Sequence, residues 1–183
     1  CALGLATPMS IMVGVGRGAH EGVLIKNAEA LERMESIDTL VIDKTGTLTE
    51  GKPKVVAIVP AGGFDDTQIL RFAASAERGS EHPLAAAIVA AAAERKLDLA
   101  PVRGFDAPAG KGVIGMVEGK RLALGNAAFL AELNIDTAAL AEDAERLRQD
   151  GATAIFLGVD GKLTGVIAIA DPVKASTPGA LKA

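Results

Sequence analysis

The heptapeptide Asp43-Lys44-Thr45-Gly46-Thr47-Leu48-Thr49 constrains the fold of this chain more than any other segment. It follows a short apolar run, Thr39-Leu40-Val41-Ile42, whose aliphatic and β-branched residues predict a buried parallel strand. Open α/β sheets bind their ligands at the carboxyl ends of their strands, and this places Asp43 at a candidate reactive edge. The segment therefore predicts an α/β domain.

Asp43 is a candidate nucleophile for phosphoryl transfer. Lys44 and the N–H groups of the loop can hold the phosphate oxygens while Mg²⁺ neutralises their charge. We expect Asp43 and Thr45 to contribute to that Mg²⁺ site. The alternative is an Asp-Lys-Thr-Gly turn that only ends a strand, which is a common use of these residues. The complete heptapeptide after an apolar run favours the chemical interpretation.

Thr45 narrows the chemistry further. Phosphatases that use an aspartyl-phosphate usually carry a second Asp two residues after the nucleophile, as the acid and base for hydrolysis. Because Thr45 occupies that position, an acyl-phosphate on Asp43 should persist instead of hydrolysing at once. The motif resembles the phosphorylation site of the P-type ATPases, membrane pumps of the haloacid-dehalogenase-like superfamily. A soluble aspartyl phosphatase is the alternative that Thr45 disfavours.

The composition gives no indication of a nucleic-acid partner. The net charge is −4, the isoelectric point is about 5.2, and no block of like charges occurs. The only aromatic residues are five Phe, so most of the side chains that could stack on bases are missing. We expect no binding to nucleic acid.

The chain opens on an apolar stretch, residues 1–15, with no charge before Arg17. A complete membrane span needs about 20 such residues, so this stretch is too short to be one. A buried core helix is one interpretation. The small residues and Pro8 favour the other, in which residues 1–16 are the cytoplasmic end of a transmembrane helix.

Three segments together are similar to the heavy-metal-transporting P-type ATPases, and most of all to the copper(I) exporters. They are residues 1–8, residues 22–32 and the heptapeptide 43–49. In that family a Cys-Pro-Cys motif binds the transported ion, and Cys1 matches its second cysteine, so the other two residues would precede Cys1. Thiolates select Cu(I) or Zn(II), so a zinc pump stays open as an alternative. Without this resemblance, Cys1 would be read as a small buried residue.

Residues 50–170 predict an inserted α+β domain with a mostly antiparallel sheet flanked by helices. An Asp160-Gly161 hairpin turn joins the last two strands, and Asp65 or Asp66 caps the first helix. Strands are predicted at 54–59, 102–105, 112–117, 121–124, 154–159 and 163–170, and helices at 66–77, 83–95, 127–133 and 137–149.

Glu77 and the segment Ser80-Glu81-His82-Pro83-Leu84 form the first candidate ligand site inside this domain. A His at the start of a Pro-initiated helix can contact a nucleotide, or it can simply cap the helix. The segment is similar to the Ser-Glu-His-Pro signature of the heavy-metal pumps. That resemblance implies that Glu77 and His82 contact ATP, with Glu81 beside them.

The second candidate is Gly110-Lys111-Gly112-Val113-Ile114-Gly115. Its glycines precede a predicted strand and not a helix, so it offers no helix N-terminus to a dinucleotide pyrophosphate. A loop whose backbone approaches a flat ligand and a plain hairpin turn both remain open. The resemblance implies that Gly110 and Gly112 line the adenosine pocket, and that the pair Gly125-Asn126 also lies at the nucleotide.

The resemblance implies four parts: residues 1–16, the helix end; 17–49, a stalk and the first strand of the phosphorylation domain; 50–170, the nucleotide-binding domain; and 171–183, a return from Asp171-Pro172 into an incomplete phosphorylation domain. It implies an integral membrane pump, with these domains in the cytoplasm, that uses ATP and Mg²⁺ to export Cu⁺. The remaining parts of such a pump would lie outside these residues. Alone, the chain would then act as a nucleotide-binding module without catalysis.

Overall fold

The computed structural model describes residues 3–182. The chain divides into two compact units, Cys1–Ile42 and Asp43–Ala183. Cys1, predicted as a ligand of the transported metal, lies outside the described residues. The predicted division into four parts stays a prediction.

The first unit contains two helices. Helix α1 spans Leu3–His20, with Pro8 inside it, and several of its apolar side chains are exposed, Met12 by 73%. Helix α2 spans Ala28–Glu35 and is capped by Asn27, whose side chain accepts a hydrogen bond from the Ala30 N–H at 3.0 Å. Within residues 3–182 no helix is both long enough and apolar enough to span a membrane.

The predicted parallel strand at Thr39-Leu40-Val41-Ile42 is wrong. These residues have no regular secondary structure, and Leu40 and Val41 are 73% and 92% exposed. A strand exists only when a neighbouring strand pairs with its N–H and C=O groups. Every named strand of the described residues belongs to one sheet, and that sheet does not include this segment. The segment has the composition of a strand, but no strand of the described residues pairs with it.

The second unit is built on a six-stranded antiparallel sheet with the order β1-β6-β5-β4-β3-β2. The strands are β1 Lys54–Pro60, β2 Val102–Asp106, β3 Gly112–Val117, β4 Lys120–Gly125, β5 Thr153–Val159 and β6 Lys162–Ala170.

Helices cover both faces of this sheet because its central strands alternate apolar residues between the faces. On one face α3 (Asp66–Glu77) and α4 (Pro83–Glu94) pack on a core that includes Leu122. On the other, α5 (Ala127–Glu132) and α6 (Ala141–Gln149) pack on a core that includes Phe156. A last helix, α7, spans Thr177–Ala180.

The predicted fold class is confirmed, and so are the individual elements of the inserted domain, each to within two residues apart from the last helix. Asp65 caps α3 through a capping box with Gln68, at 2.8 and 3.1 Å. Asp160 and Gly161 join β5 to β6 with positive φ values of 50° and 79°. The predicted helix 137–149 begins as a 3₁₀ turn, Ala138–Leu140, before α6 starts.

Candidate functional site

A cavity of about 350 Å³ opens at one end of the sheet. Strand β3 begins there, β4 ends there and β5 begins there, so three adjacent strands contribute to its wall. The end of α3, the start of α4 and the loop before β3 complete it. Its volume is within the range of small-molecule sites.

All the residues predicted at the nucleotide line this cavity: Glu77, His82, Gly110, Gly112, Gly125 and Asn126. The apolar part of the wall, which includes Leu84, Val113, Leu124 and Ile155, was not predicted from the sequence. A signal was available for three of them, because Leu84 and Val113 lie inside the two motifs and Leu124 directly precedes Gly125.

Glu77 is the buried charged group of the cavity. It is only 8% exposed, and its Oε2 atom has no hydrogen-bond partner among the described residues. Burial raises the pKa of its carboxyl, against a smaller opposing effect of the Ser80 hydroxyl and of His82. The folded protein therefore holds this proton more tightly than the unfolded chain, and it loses stability as the pH rises from the ordinary carboxyl range through the raised pKa. An unsatisfied acceptor is available to a ligand amine.

His82 is the N-cap of α4. Its Nδ1 atom accepts a hydrogen bond from the Leu84 N–H at 3.2 Å, and Pro83 occupies the first helical position, where no N–H is needed. A ring nitrogen that accepts carries no proton, so the proton of the neutral imidazole is on Nε2. Since His82 is exposed and lines the cavity, its capping role leaves the Nε2–H free to donate to a ligand.

Gly112 and Gly125 are cross-strand partners, and the space beside them is filled by protein. A Cβ atom on Gly112 would lie 2.1 Å from the Leu124 carbonyl oxygen and 2.9 Å from Cδ1 of Phe129. A Cβ atom on Gly125 would lie 2.5 Å from the Lys111 oxygen. The packing of β3 against β4 thus requires glycine at both positions, which was not predicted from the sequence. Their predicted contact with the ligand stays a prediction.

Gly110 has a different environment. Its φ is +72°, and a Cβ atom built on it would meet nothing within 4 Å. Asn126 fixes this loop: its side chain caps α5 by accepting from the Phe129 N–H at 2.8 Å and donates to the Gly110 oxygen at 3.3 Å. A glycine backbone that is open on one side and fixed on the other can approach a ligand closely.

The Asp43 motif forms an exposed turn. Thr45 (φ −75°, ψ 122°) and Gly46 (φ 78°, ψ −18°) have the angles of a type II turn, which requires Gly at its third position. The Thr49 N–H donates to the oxygen of Lys44, five residues earlier, at 3.2 Å and closes a wider loop around this turn. Asp43, Lys44 and Thr45 are therefore adjacent and open to solvent.

Asp171, the first residue after β6, forms hydrogen bonds with the end of the Asp43 motif and with the residues that follow it. Its carboxylate accepts hydrogen bonds from the hydroxyl of Thr49, which is 2% exposed, and from the N–H groups of Gly51 and Lys52 at 3.1 and 3.0 Å. The pKa of Asp171 is lowered most by the hydrogen bond from Thr49, and further by the two backbone hydrogen bonds and the charge of Lys44. The ionised Asp171 therefore stabilises the folded protein at pH values above the ordinary carboxyl range, and this stabilisation is lost as the pH falls through the lowered pKa.

Two further contacts hold the turn from the same side. The Lys174 Nζ atom donates to the Gly46 oxygen at 2.7 Å, and the Thr177 hydroxyl donates to the Leu48 oxygen at 2.7 Å. From the sequence, Asp171 was predicted only as the point of return to the phosphorylation domain, and no role was predicted for Lys174 or Thr177. Within residues 3–182 no three His, Cys, Asp or Glu side chains group as a metal site.

A comparison with protein families matches residues 37–183 to the haloacid dehalogenase-like hydrolases. This range covers both the Asp43 turn and the cavity. The chain belongs to this family.

Among curated relatives of this haloacid dehalogenase-like chain, a copper-transporting P-type ATPase of Rhizobium leguminosarum bv. viciae is 58% identical over 100% of the chain. A solved zinc-transporting PIB-type ATPase in its E2.Pi state is 35% identical, with a TM-score of 0.87 over 100% of the chain. The catalytic domain of the CPx-ATPase CopB-B, solved in a study of conformational changes upon nucleotide binding, is 27% identical with a TM-score of 0.65 over 92% of the chain.

These matches confirm the resemblance to the heavy-metal P-type ATPases. The chain spans 22% of the length of the Rhizobium relative, 29% of the zinc-transporting structure and 57% of the CopB-B chain.

Proposed function

We propose that this chain is the ATP-binding and phosphorylation part of a P-type ATPase that exports Cu(I). One observation carries the proposal: Glu77, His82, Gly110 and Asn126, from three separate segments, meet at one cavity. Copper is favoured because the Rhizobium relative is named a copper transporter and is 58% identical, whereas the zinc-transporting structure is 35% identical. The zinc-type pump remains the runner-up.

In this proposal the cavity binds the adenosine part of ATP. Glu77 offers an unpaired acceptor oxygen inside the cavity, and His82 offers an Nε2–H at its mouth. Apolar side chains such as Val113 and Leu124 contact the faces of the base, as in most small-molecule sites. The polar groups then fix its orientation, and the free backbone at Gly110 allows close approach.

Phosphoryl transfer takes place at Asp43. Its carboxylate attacks the γ-phosphorus, the bond to the bridging oxygen breaks and ADP leaves. Lys44 lies next in the same exposed turn and neutralises phosphate charge. The Asp43 carboxylate and the oxygens of Thr45 are hard donors of the kind that Mg²⁺ prefers, so these two residues would help to hold it, and the ion would supply charge neutralisation.

The same proposal places Cys1 on the path of the transported metal and makes the whole protein an integral membrane pump with these domains in the cytoplasm. The exposed apolar side chains of α1, such as Leu5 and Met12, support an apolar environment for this helix in the whole protein.

His82 offers a test of the nucleotide site. We expect His82→Gln and His82→Asn each to weaken ATP binding by about 5- to 30-fold, the equivalent of about 1–2 kcal/mol for one lost contact. Asn is a good N-cap and Gln is not, so only His82→Gln should also lower the melting temperature clearly. Calorimetric titration of the 183-residue chain with ATP and thermal unfolding measure the two effects.

His82 would be only a helix cap if His82→Asn bound ATP as tightly as the unchanged chain. The proposed nucleotide function itself would fail if the unchanged chain bound no ATP.

Cys1→Ser in a full-length pump tests the metal. We expect it to remove the stimulation of ATP hydrolysis by Cu(I), because a thiolate binds this soft ion and a hydroxyl does not. Hydrolysis is measured with added Cu(I) and with added Zn(II). Stimulation of the unmutated pump by Zn(II) alone would overturn the choice of copper and leave the Asp43 chemistry unaffected.

The chain by itself has a second candidate function, a nucleotide-binding module without catalysis. The cavity lies entirely within the Asp43–Ala183 unit, so it needs no further part of a pump to be formed. ATP binding by the isolated chain without labelling of Asp43 would support this function. Rapid hydrolysis of simple phosphate esters would instead favour a soluble aspartyl phosphatase.

A further inference from the structure

Lys111 is a cationic residue at the cavity with no role in the proposed function so far. Among the described residues that line the cavity, the charged types are the acidic Glu77 and the basic Lys111, beside the neutral His82. A nucleoside triphosphate carries several negative charges, and a wall with a buried carboxylate does not match them. A nucleotide bound here therefore needs a cation at the rim of the cavity, where its phosphate chain extends outwards.

The Lys111 ammonium is engaged elsewhere in this structure. Its Nζ atom lies 2.8 and 2.7 Å from the two carboxylate oxygens of Glu132, the last residue of α5. The two side chains are 46% and 53% exposed. Because water screens exposed ion pairs of this kind, they contribute little to stability and exchange partners readily.

The backbone at Lys111 is fixed although its side chain is not. The Lys111 N–H donates to the Pro108 oxygen at 3.1 Å, and the Lys111 oxygen accepts from the Asn126 N–H at 3.2 Å. The next residue, Gly112, is already paired with Gly125 in the sheet. Lys111 can therefore exchange Glu132 for another anion by rotation of its four-carbon side chain alone, while its backbone stays in place.

We propose that Lys111 binds the phosphates of the nucleotide and that Glu132 holds it when the cavity is empty. The proposal rests on the nucleotide function proposed above. Phosphate and the Glu132 carboxylate compete for the same ammonium, so Glu132 lowers the affinity for every nucleotide that uses Lys111. Adenosine, which has no phosphate, does not engage Lys111, and its affinity is independent of the pair.

The competition predicts opposite effects of the two residues. We expect Lys111→Met to weaken ATP binding about five- to tenfold, and Glu132→Gln to strengthen it about two- to fivefold. The double variant should bind as Lys111→Met does, and Lys111→Arg should retain most of the affinity. Adenosine affinity should not change in any of them, and Lys111→Met should reduce the dependence of ATP binding on salt.

Calorimetric titration of the 183-residue chain with ATP and with adenosine, at two salt concentrations, measures these affinities. Lys162→Met is the matched control, because it removes the same charge from an exposed residue at the β5–β6 hairpin, away from the cavity. Melting temperatures show that each variant is folded.

A purely structural ion pair would make Lys111→Met and Glu132→Gln change ATP and adenosine affinity in the same direction. That result, or unchanged ATP affinity in both variants, would overturn the role of Lys111 and leave the nucleotide function standing. Absence of ATP and adenosine binding in the unchanged chain would overturn both.

Discussion

An Asp43→Asn variant of the full-length pump should form no phosphoenzyme from ATP. The amide cannot attack the γ-phosphorus as a carboxylate does, so we expect labelling to fall by at least about a thousandfold. In the unmutated pump the phosphoenzyme should be stable in acid and cleaved by hydroxylamine, as an acyl-phosphate is. Acid quenching after incubation with γ-labelled ATP measures it.

Two controls separate chemistry from binding. Asp38→Asn changes an exposed carboxylate five residues before the nucleophile and should leave labelling intact. ATP affinity of Asp43→Asn should stay close to that of the unmutated pump, because Asp43 is not among the residues that line the cavity. Persistent labelling of the Asp43→Asn variant would refute Asp43 as the nucleophile.

Local signals predicted most of the fold. Asp65, one of the two predicted caps, caps α3, Pro83 begins α4, and Asp160-Gly161 forms the hairpin turn. Each of these features depends on residues within a few positions of one another. The six strands of the sheet were also predicted, each to within two residues.

Thr39-Leu40-Val41-Ile42 shows where such signals fail. Its composition favours a strand, but a strand also needs a partner, and composition carries no information about one. Asp43 therefore does not follow the carboxyl end of a strand here. The turn at Thr45-Gly46 and the hydrogen bonds from Lys174 and Thr177 position the motif instead.

Contacts between distant residues account for what the sequence did not predict at the candidate sites. Thr49 and Asp171 are 122 positions apart, and Lys111 and Glu132 are 21 apart. A single sequence shows no periodicity that would join such pairs. The family resemblance brought Glu77 and His82 together, but it could not show that Glu77 is buried without a full set of partners.

Gly112→Ala is expected to destabilise the fold strongly. The new Cβ atom would lie 2.1 Å from the Leu124 oxygen and 2.7 Å from the Gly125 Cα, which are backbone atoms of the paired strand. Neither can withdraw without separating β3 from β4, so we expect the free energy of unfolding to fall by about 3 kcal/mol or more. Urea unfolding of the 183-residue chain measures the change.

Gly119→Ala and Gly110→Ala are the matched controls. Both glycines have positive φ, 78° and 72°, and open space where a Cβ atom would lie, so each substitution should cost about 1 kcal/mol. Gly119 is in the β3–β4 turn, whereas Gly110 lines the cavity, so only Gly110→Ala should also weaken ATP binding. If Gly112→Ala were as stable as Gly119→Ala, the cross-strand contact would not explain Gly112. Its missing side chain would then have to serve the ligand, as the sequence had suggested.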